Sequence, residues 1–192
     1  MTTCANASAS GRRAGAPDPG HIPDSSAPSA GTAWLPVGRD EFREVMAHHP
    51  AGVAIITLAG PAGLTVTSFS SASLDPPLVS FYIGHGSSNI PAVRRASHFA
   101  VNLIGAGQPE LAARFARKGE DRFAPPTRWQ AGPHGLPLLT DATTHLICTR
   151  HSLQTVGDHE LVIGTVVEAT VRRGEPPLVY HQGGYARTQS HA

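Results

Sequence analysis

Hairpin punctuation constrains this chain most. Gly52-Val53-Ala54-Ile55-Ile56-Thr57-Leu58-Ala59 is a β-branched run of strand length. Gly60-Pro61-Ala62-Gly63 is a turn signal, and residues 64–69 read as the return strand. The pattern then repeats along the chain. Residues 77–83 form an apolar strand predicted to be buried on both faces, with Pro76 and Pro77 at its start, where proline is tolerated. Residues 98–104 are a further strand. Residues 146–156 and 160–172 are long strands joined by Gly157-Asp158-His159. Leu178-Val179-Tyr180 is a last short strand, and Gly183-Gly184-Tyr185 turns the chain back. About seven strands follow one another with few helices between them. This predicts a mainly β, antiparallel barrel or sandwich and argues against a parallel α/β sheet.

Three short helices are expected at the periphery. Over residues 40–49, Phe42, Val45, Met46 and His49 fall at i, i+3, i+4 and i+7, and Pro50 ends the helix. A second covers about 90–96. The third, 108–118, carries Leu111, Ala112 and Phe115 on one face and ends in Arg114, Arg117 and Lys118, the charge favoured at a helix C-terminus. Residues 119–137 read as an excursion that Phe123 and Trp129 pack onto the body. Residues 1–33 hold Ile22 as their one large aliphatic side chain after Met1, too little apolar area to offset ordering entropy, so a disordered tail is expected there. The folded domain is assigned to residues 34–188, with a short tail over 189–192.

Composition excludes several classes. The 192 residues are 40% apolar and 15% charged, with net charge +1, which suits one domain with a real core and offers no basic stripe for nucleic acid. No apolar run reaches the roughly 18 residues of a membrane helix. Arg12-Arg13 is followed by no apolar segment, so no secretory leader is expected. Cys4 and Cys148 are far apart, which predicts no disulfide and fits a reducing cytoplasmic setting. There is no Gly-x-Ser-x-Gly elbow, no phosphate-binding Walker loop, and no His-Glu-x-x-His or Cys-x-x-Cys spacing. His48 and His49 are adjacent on a helix and point about 100° apart, so they do not converge on one ion. His145 and His151 share a strand face at about 20 Å separation, too far for a shared metal. No metal site is predicted.

Three stretches carry chemistry. Thr65, Thr67, Ser68, Ser70, Ser71 and Ser73 place six hydroxyls in nine residues at a strand end, suited to a polar, partly anionic ligand. Gly84-His85-Gly86-Ser87-Ser88-Asn89 is a small-residue turn opening a helix, readable as a phosphate seat or as an ordinary N-cap by Ser87 or Ser88. It lacks the third glycine of a dinucleotide-binding turn. Asp158 and His159 form an acid/base pair on a turn, an arrangement also common as a solvated loop.

Pro50-Ala51-Gly52-Val53-Ala54-Ile55-Ile56-Thr57, the stretch 63–77, Phe99-Ala100-Val101-Asn102-Leu103, and Gly157-Asp158-His159 followed by Gly164-Thr165-Val166 occur in an order that resembles the flavin-reductase-like family. These are the reductase components of two-component flavin-dependent monooxygenases. The resemblance covers about residues 38–187. It implies an FMN-binding split β-barrel with peripheral helices, an intertwined homodimer, and NADH- or NADPH-dependent reduction of FMN or FAD. It also implies a separate monooxygenase partner that receives reduced flavin. It places Thr65, Val66, Thr67 and Ser68 at the flavin ring and ribityl chain, with Ser71 and Ser73 close by. Ser87, Ser88 and Asn89, with Arg117 and Lys118, are where the flavin phosphate is placed. Asp158 and His159 fall on the nicotinamide side. Direct transfer between nicotinamide and flavin needs no side-chain nucleophile, only two rings held face to face at about 3–3.5 Å. Asn89 replaces an expected threonine, Ile147 an acidic residue and Asp141 a small one, and Ala124-Pro125-Pro126 is atypical. Two other readings stay open: a flavin carrier or store of the same fold without turnover, and a binding module without flavin.

Overall fold

The structure is a computed structural model and describes residues 35–172 and 174–189. The predicted disordered tail over 1–33 lies outside the described residues, as do residues 190–192. Residues 1–38 and 39–192 group as separate units, and the second is described here.

Among the described residues, twelve strands and three α-helices follow in the order α1 (Arg39–Ala47), β1 (Ala51–Gly52), β2 (Ala54–Leu58), β3 (Ala62–Val66), β4 (Ser70–Leu74), β5 (Pro77–Gly84), α2 (Ile90–Arg95), β6 (His98–Leu103), α3 (Pro109–Ala116), β7 (Trp129–Ala131), β8 (Pro137–Leu139), β9 (Thr144–Val156), β10 (His159–Val171), β11 (Leu178–His181) and β12 (Gly184–Arg187). The main sheet has seven strands in the order β3-β2-β6-β9-β10-β5-β4, and every described pairing in it is antiparallel. β1-β11-β12 form a small second sheet, and β7-β8 a third. The expected mainly β, antiparallel fold with short peripheral helices is present.

The two edges of the main sheet, β3 and β4, are consecutive in sequence, joined only by Thr67-Ser68-Phe69. That connection crosses the open side of the sheet. The Tyr82 amide on β5 donates to Ser68 Oγ at 2.9 Å, so one hydroxyl pins the crossing to the far edge. The ladder itself stays open between β3 and β4.

β2 is buried along its whole length. Ala54, Ile56 and Leu58 join Phe81, Phe99, Val101, Cys148 and Val162 in one core cluster, which α2 covers through Ile90 and Val93. Val53 and Ile55 point the other way, toward Phe115, Ile104, Leu139 and Leu178, under α3. The strand expected to be apolar on both faces was β5. Its burial alternates instead, with Val79, Phe81 and Ile83 inside and Tyr82 outside, because its second face lines a cleft. The stripe on α1 is likewise not core: Phe42, Val45 and Met46 are 56%, 61% and 46% exposed, since no described element packs over that face. The excursion packs as expected, through edge-to-face contacts from Phe115 to Phe123 and from Phe123 to Trp129.

One close approach fixes the sheet's centre. A Cβ on Gly164 of β10 would lie 2.4 Å from Phe99 Cζ and 3.1 Å from Cys148 Cβ. Phe99 is held edge-to-face against Phe81, so its ring has no room to yield. Burial pushes the Cys148 thiol up to about 12, which keeps it a neutral, inert core side chain. Gly164→Ala should therefore destabilise by about 1–3 kcal/mol through overpacking, read as a lowered denaturant midpoint with an unchanged slope.

Candidate functional site

A cleft of about 500 Å³ opens at the seam between the sheet's edges. One wall is Leu64 to Ser68, the end of β3 and the crossing segment. The opposite wall is Tyr82, Ile83 and Gly84 at the end of β5, continued by the turn through Asn89. The end of α3 closes one side with Phe115, Lys118 and Arg122, and His159 stands at the start of β10. Leu64, Val66, Ile83 and Phe115 are buried and make an apolar floor. Hydroxyls, an amide and two cations stand around it. The size suits a single organic ligand, and the chemistry suits an apolar ring body with polar edges and an anionic end.

The hydroxyl stretch is divided between roles. Thr65 Oγ1 donates to the Ala112 carbonyl at 2.7 Å, which fastens β3 to α3 and turns that hydroxyl away from a ligand. Thr67 and Ser68 face the cleft beside Val66. Ser71 and Ser73 do not line it. They sit on β4, opposite Val79 and Leu78, and the hydroxyl run proves to be a bulged edge strand.

The turn after β5 is held in place from two sides. The Asn89 amide donates to Ser87 Oγ at 3.2 Å, and Lys118 Nζ donates to the Gly86 carbonyl at 3.1 Å. Asn89 is only 6% exposed and lines the cleft, and its side chain makes no capping bond to α2. A side-chain amide can both donate and accept, which suits a hydrogen-bonding ligand in the cleft. α2 begins directly after, but Pro91 removes an amide donor from its first turn. The phosphate-seat reading therefore rests on Ser87, Ser88, Asn89 and Lys118 more than on the helix end.

Arg117 takes a different place from the expected one. α3 stops at Ala116, Arg117 is extended, and its guanidinium pairs with Glu120 at 3.3 Å. Arg122 folds back instead, donating from Nε to the Phe115 carbonyl at 3.1 Å and to the Arg117 carbonyl, and lines the cleft. Sequence reasoning missed it, together with Tyr82, Ile83 and Phe115. For Phe115 the signal was present in the helix face, and for Tyr82 in the period-2 alternation of β5.

At the other end, His159 Nδ1 and Asp158 Oδ1 are 2.6 Å apart. His159 lies against Gly84, where an added Cβ would be 3.4 Å from Nε2. Asp158 itself is exposed and does not line the cleft; its contact with the cleft runs through the histidine. The reverse turn before them needs a left-handed residue, and Gly157 supplies φ 58°.

An antiparallel β protein with a polar-rimmed, apolar-floored cleft at an open sheet edge defines a small-cofactor binder. The chain belongs to the flavin-reductase-like family: residues 46–189 match the flavin reductase like domain. It is 42% identical to the NADH:FMN oxidoreductase of Rhodococcus erythropolis over 154 residues, 77% of this chain and 80% of that one. It is 35% identical over 147 residues to HsaB of Rhodococcus jostii, a flavin-dependent monooxygenase reductase subunit, covering 75% of each. Among solved structures, the NADH:FAD oxidoreductase SgcE6 of Streptomyces globisporus, in complex with NAD and FAD fragments, superposes with TM-score 0.76 and 34% identity. The match covers 80% of this chain and 94% of that one.

The His159 hydrogen bond holds the Asp158 carboxyl below its usual range. A carboxylate depressed in the folded state adds stability above its unfolded pKa and loses it as pH falls through the folded one. The stability gap between the native chain and Asp158→Asn should thus hold above about pH 5 and close as pH drops below about 3.9. The gap is small because both side chains are exposed; a pH series of thermal melts reads it.

Proposed function

We propose that this chain is an NAD(P)H:flavin oxidoreductase that reduces FMN or FAD and supplies reduced flavin to a separate flavin-dependent monooxygenase. The observation that carries the reading is the seam cleft, lined by Asn89, the two cations Lys118 and Arg122, and His159 around an apolar floor. Bound flavin supplies a ring that accepts hydride from a nicotinamide. The apolar floor of Leu64, Val66, Ile83 and Phe115 takes the ring body and excludes water beneath it. Thr67 offers its hydroxyl, and Thr67 and Ser68 their backbone amides, to the ring's polar edge, the donor arrangement that stabilises developing negative charge. Ser87, Ser88, Asn89, Lys118 and Arg122 receive the phosphate. His159, steadied by Asp158, orients the nicotinamide and transfers no proton.

Three further parts belong to this reading. The working domain is residues 34–188, consistent with the family match over 46–189. The active unit is a homodimer, supported by the exposed apolar faces of α1 and of late β10, where Val167 and Val171 are 58% and 73% exposed. The site of action is the cytoplasm. No helix among the described residues is long and apolar enough to cross a membrane.

Nicotinamide oxidation measured with and without added FMN or FAD tests the function. Turnover that depends on added flavin is expected; a yellow protein with no flavin-dependent turnover would be a carrier. In the active enzyme, His159→Ala should raise KM for NADH or NADPH about tenfold or more while the flavin Kd moves less than about threefold. Equal effects on both would remove His159 from the nicotinamide side.

A further inference from the structure

Successive residues on a strand point to opposite faces. His159 on β10 lines the cleft, and Glu160 therefore turns beneath it. Glu160 is 3% exposed, one of the few charged side chains buried among the described residues. Its partners come from three other elements. Oε1 accepts from the Arg94 guanidinium on α2 and lies 3.5 Å from His85 Nε2, just past β5. Oε2 accepts from Thr155 Oγ1 on β9 at 3.2 Å. The Arg94 hydrogen bond holds the carboxyl below its usual range, so it is ionised at neutral pH.

His85 and Arg94 bracket the segment that carries Gly86, Ser87, Ser88 and Asn89 to the cleft. One carboxylate thus bonds the far end of that segment at Arg94 and lies beside its start at His85. α2 is tied a second time where Arg150 donates to the carbonyl of Arg94 at 2.8 Å. Nothing in core packing requires a charge here, since a buried ion pair is on average no better than apolar side chains of the same volume. Its distinctive effect is geometric: it sets where the turn stands relative to His159, the next residue along β10.

We propose that Glu160 is a positioning residue, acting through Arg94 and His85 to hold the anion-binding turn at a fixed distance from His159. The assignment rests on the flavin-reductase reading and adds residues to it. A misplacement of about 1 Å in such a seat costs on the order of a hundredfold in a positioned reaction.

The test is FMN titration and steady-state kinetics on the native chain, Glu160→Gln, Arg94→Gln and the double variant. Arg94 is half exposed, so Arg94→Gln keeps the fold even if the buried substitution does not. Each single variant should weaken FMN binding about tenfold or more, with a smaller change in kcat at saturating flavin. The double variant should bind within about threefold of the weaker single one, because the two act as a unit. A lowered melting temperature with FMN Kd unchanged would mark the pair as structural only and overturn the assignment, as would multiplying effects in the double variant. A native chain that neither binds FMN nor oxidises NADH would overturn the function itself, a separate outcome from failure of Glu160 alone.

Discussion

The pairing of β10 with β5 is the constraint on which the rest depends. It runs from His159 opposite Gly84 to Thr165 opposite Leu78, without a break. It puts the histidine of one turn directly beside the small-residue turn that leaves β5. A slip of one residue would reverse every side chain. Glu160 would enter the cleft, His159 would lie under α2, and Val162 would leave the core. The other side of β10 is less regular, with register shifts against β9 at Ile163/Gly164 and Val166/Glu168. The first of these sits where Phe99 crowds the strand, so the glycine relieves a packing conflict at the place where the ladder bends.

Most of the sheet was legible because its strands are β-branched and its turns are marked. Val53 to Leu58 and the two long strands around Gly157 carry both signals. β4 was not legible as a strand. Ser70 to Leu74 has no apolar alternation, Leu74 is 90% exposed, and the strand holds to β5 through its backbone. Hydroxyl-rich edge strands look like loops to any reading based on burial period. α1 shows the converse failure. Its stripe is genuine, yet the surface that would bury it is absent from the described chain, and periodicity reports only that a face wants covering.

The site divides along the same line. The stretches that line the two opposite walls, Thr65 to Ser68 and Ser87 to Asn89, stood out because local pattern marks a strand end and a turn. Arg117 was expected at the cleft and Arg122 was not considered, because the placement of both depends on where α3 stops. The expected helix ran to Lys118. Ending at Ala116, it leaves Arg117 extended and lets Arg122 return to cap the last carbonyls. Two residues of helix decide which arginine lines the cleft, and helix ends are the least determined part of any sequence reading. Asp141 and Ile147, the substitutions that looked out of place, have ordinary structural explanations. Asp141 pairs with Arg128 on the excursion, and Ile147 is buried against Leu136.

The walls of the cleft come from segments far apart in sequence, and one side chain joins each pair of walls. Ser68 ties the crossing segment to β5, Lys118 ties the end of α3 to the turn at Gly86, and Glu160 ties β10 to Arg94 on α2. The sequence separations are 14, 32 and 66 residues for Ser68–Tyr82, Lys118–Gly86 and Arg94–Glu160. No local pattern encodes such bonds, which is why Ser68 and Lys118 could be read as cleft residues but not as ties across it, and Glu160 could not be read at all. An open sheet edge has no ladder to hold its two sides at a fixed spacing. Here that spacing is set by a hydroxyl, an ammonium and a carboxylate, each bonded across the gap or beneath it. The ligand-facing groups can then remain few and mostly neutral, because rigidity is supplied from outside the cleft.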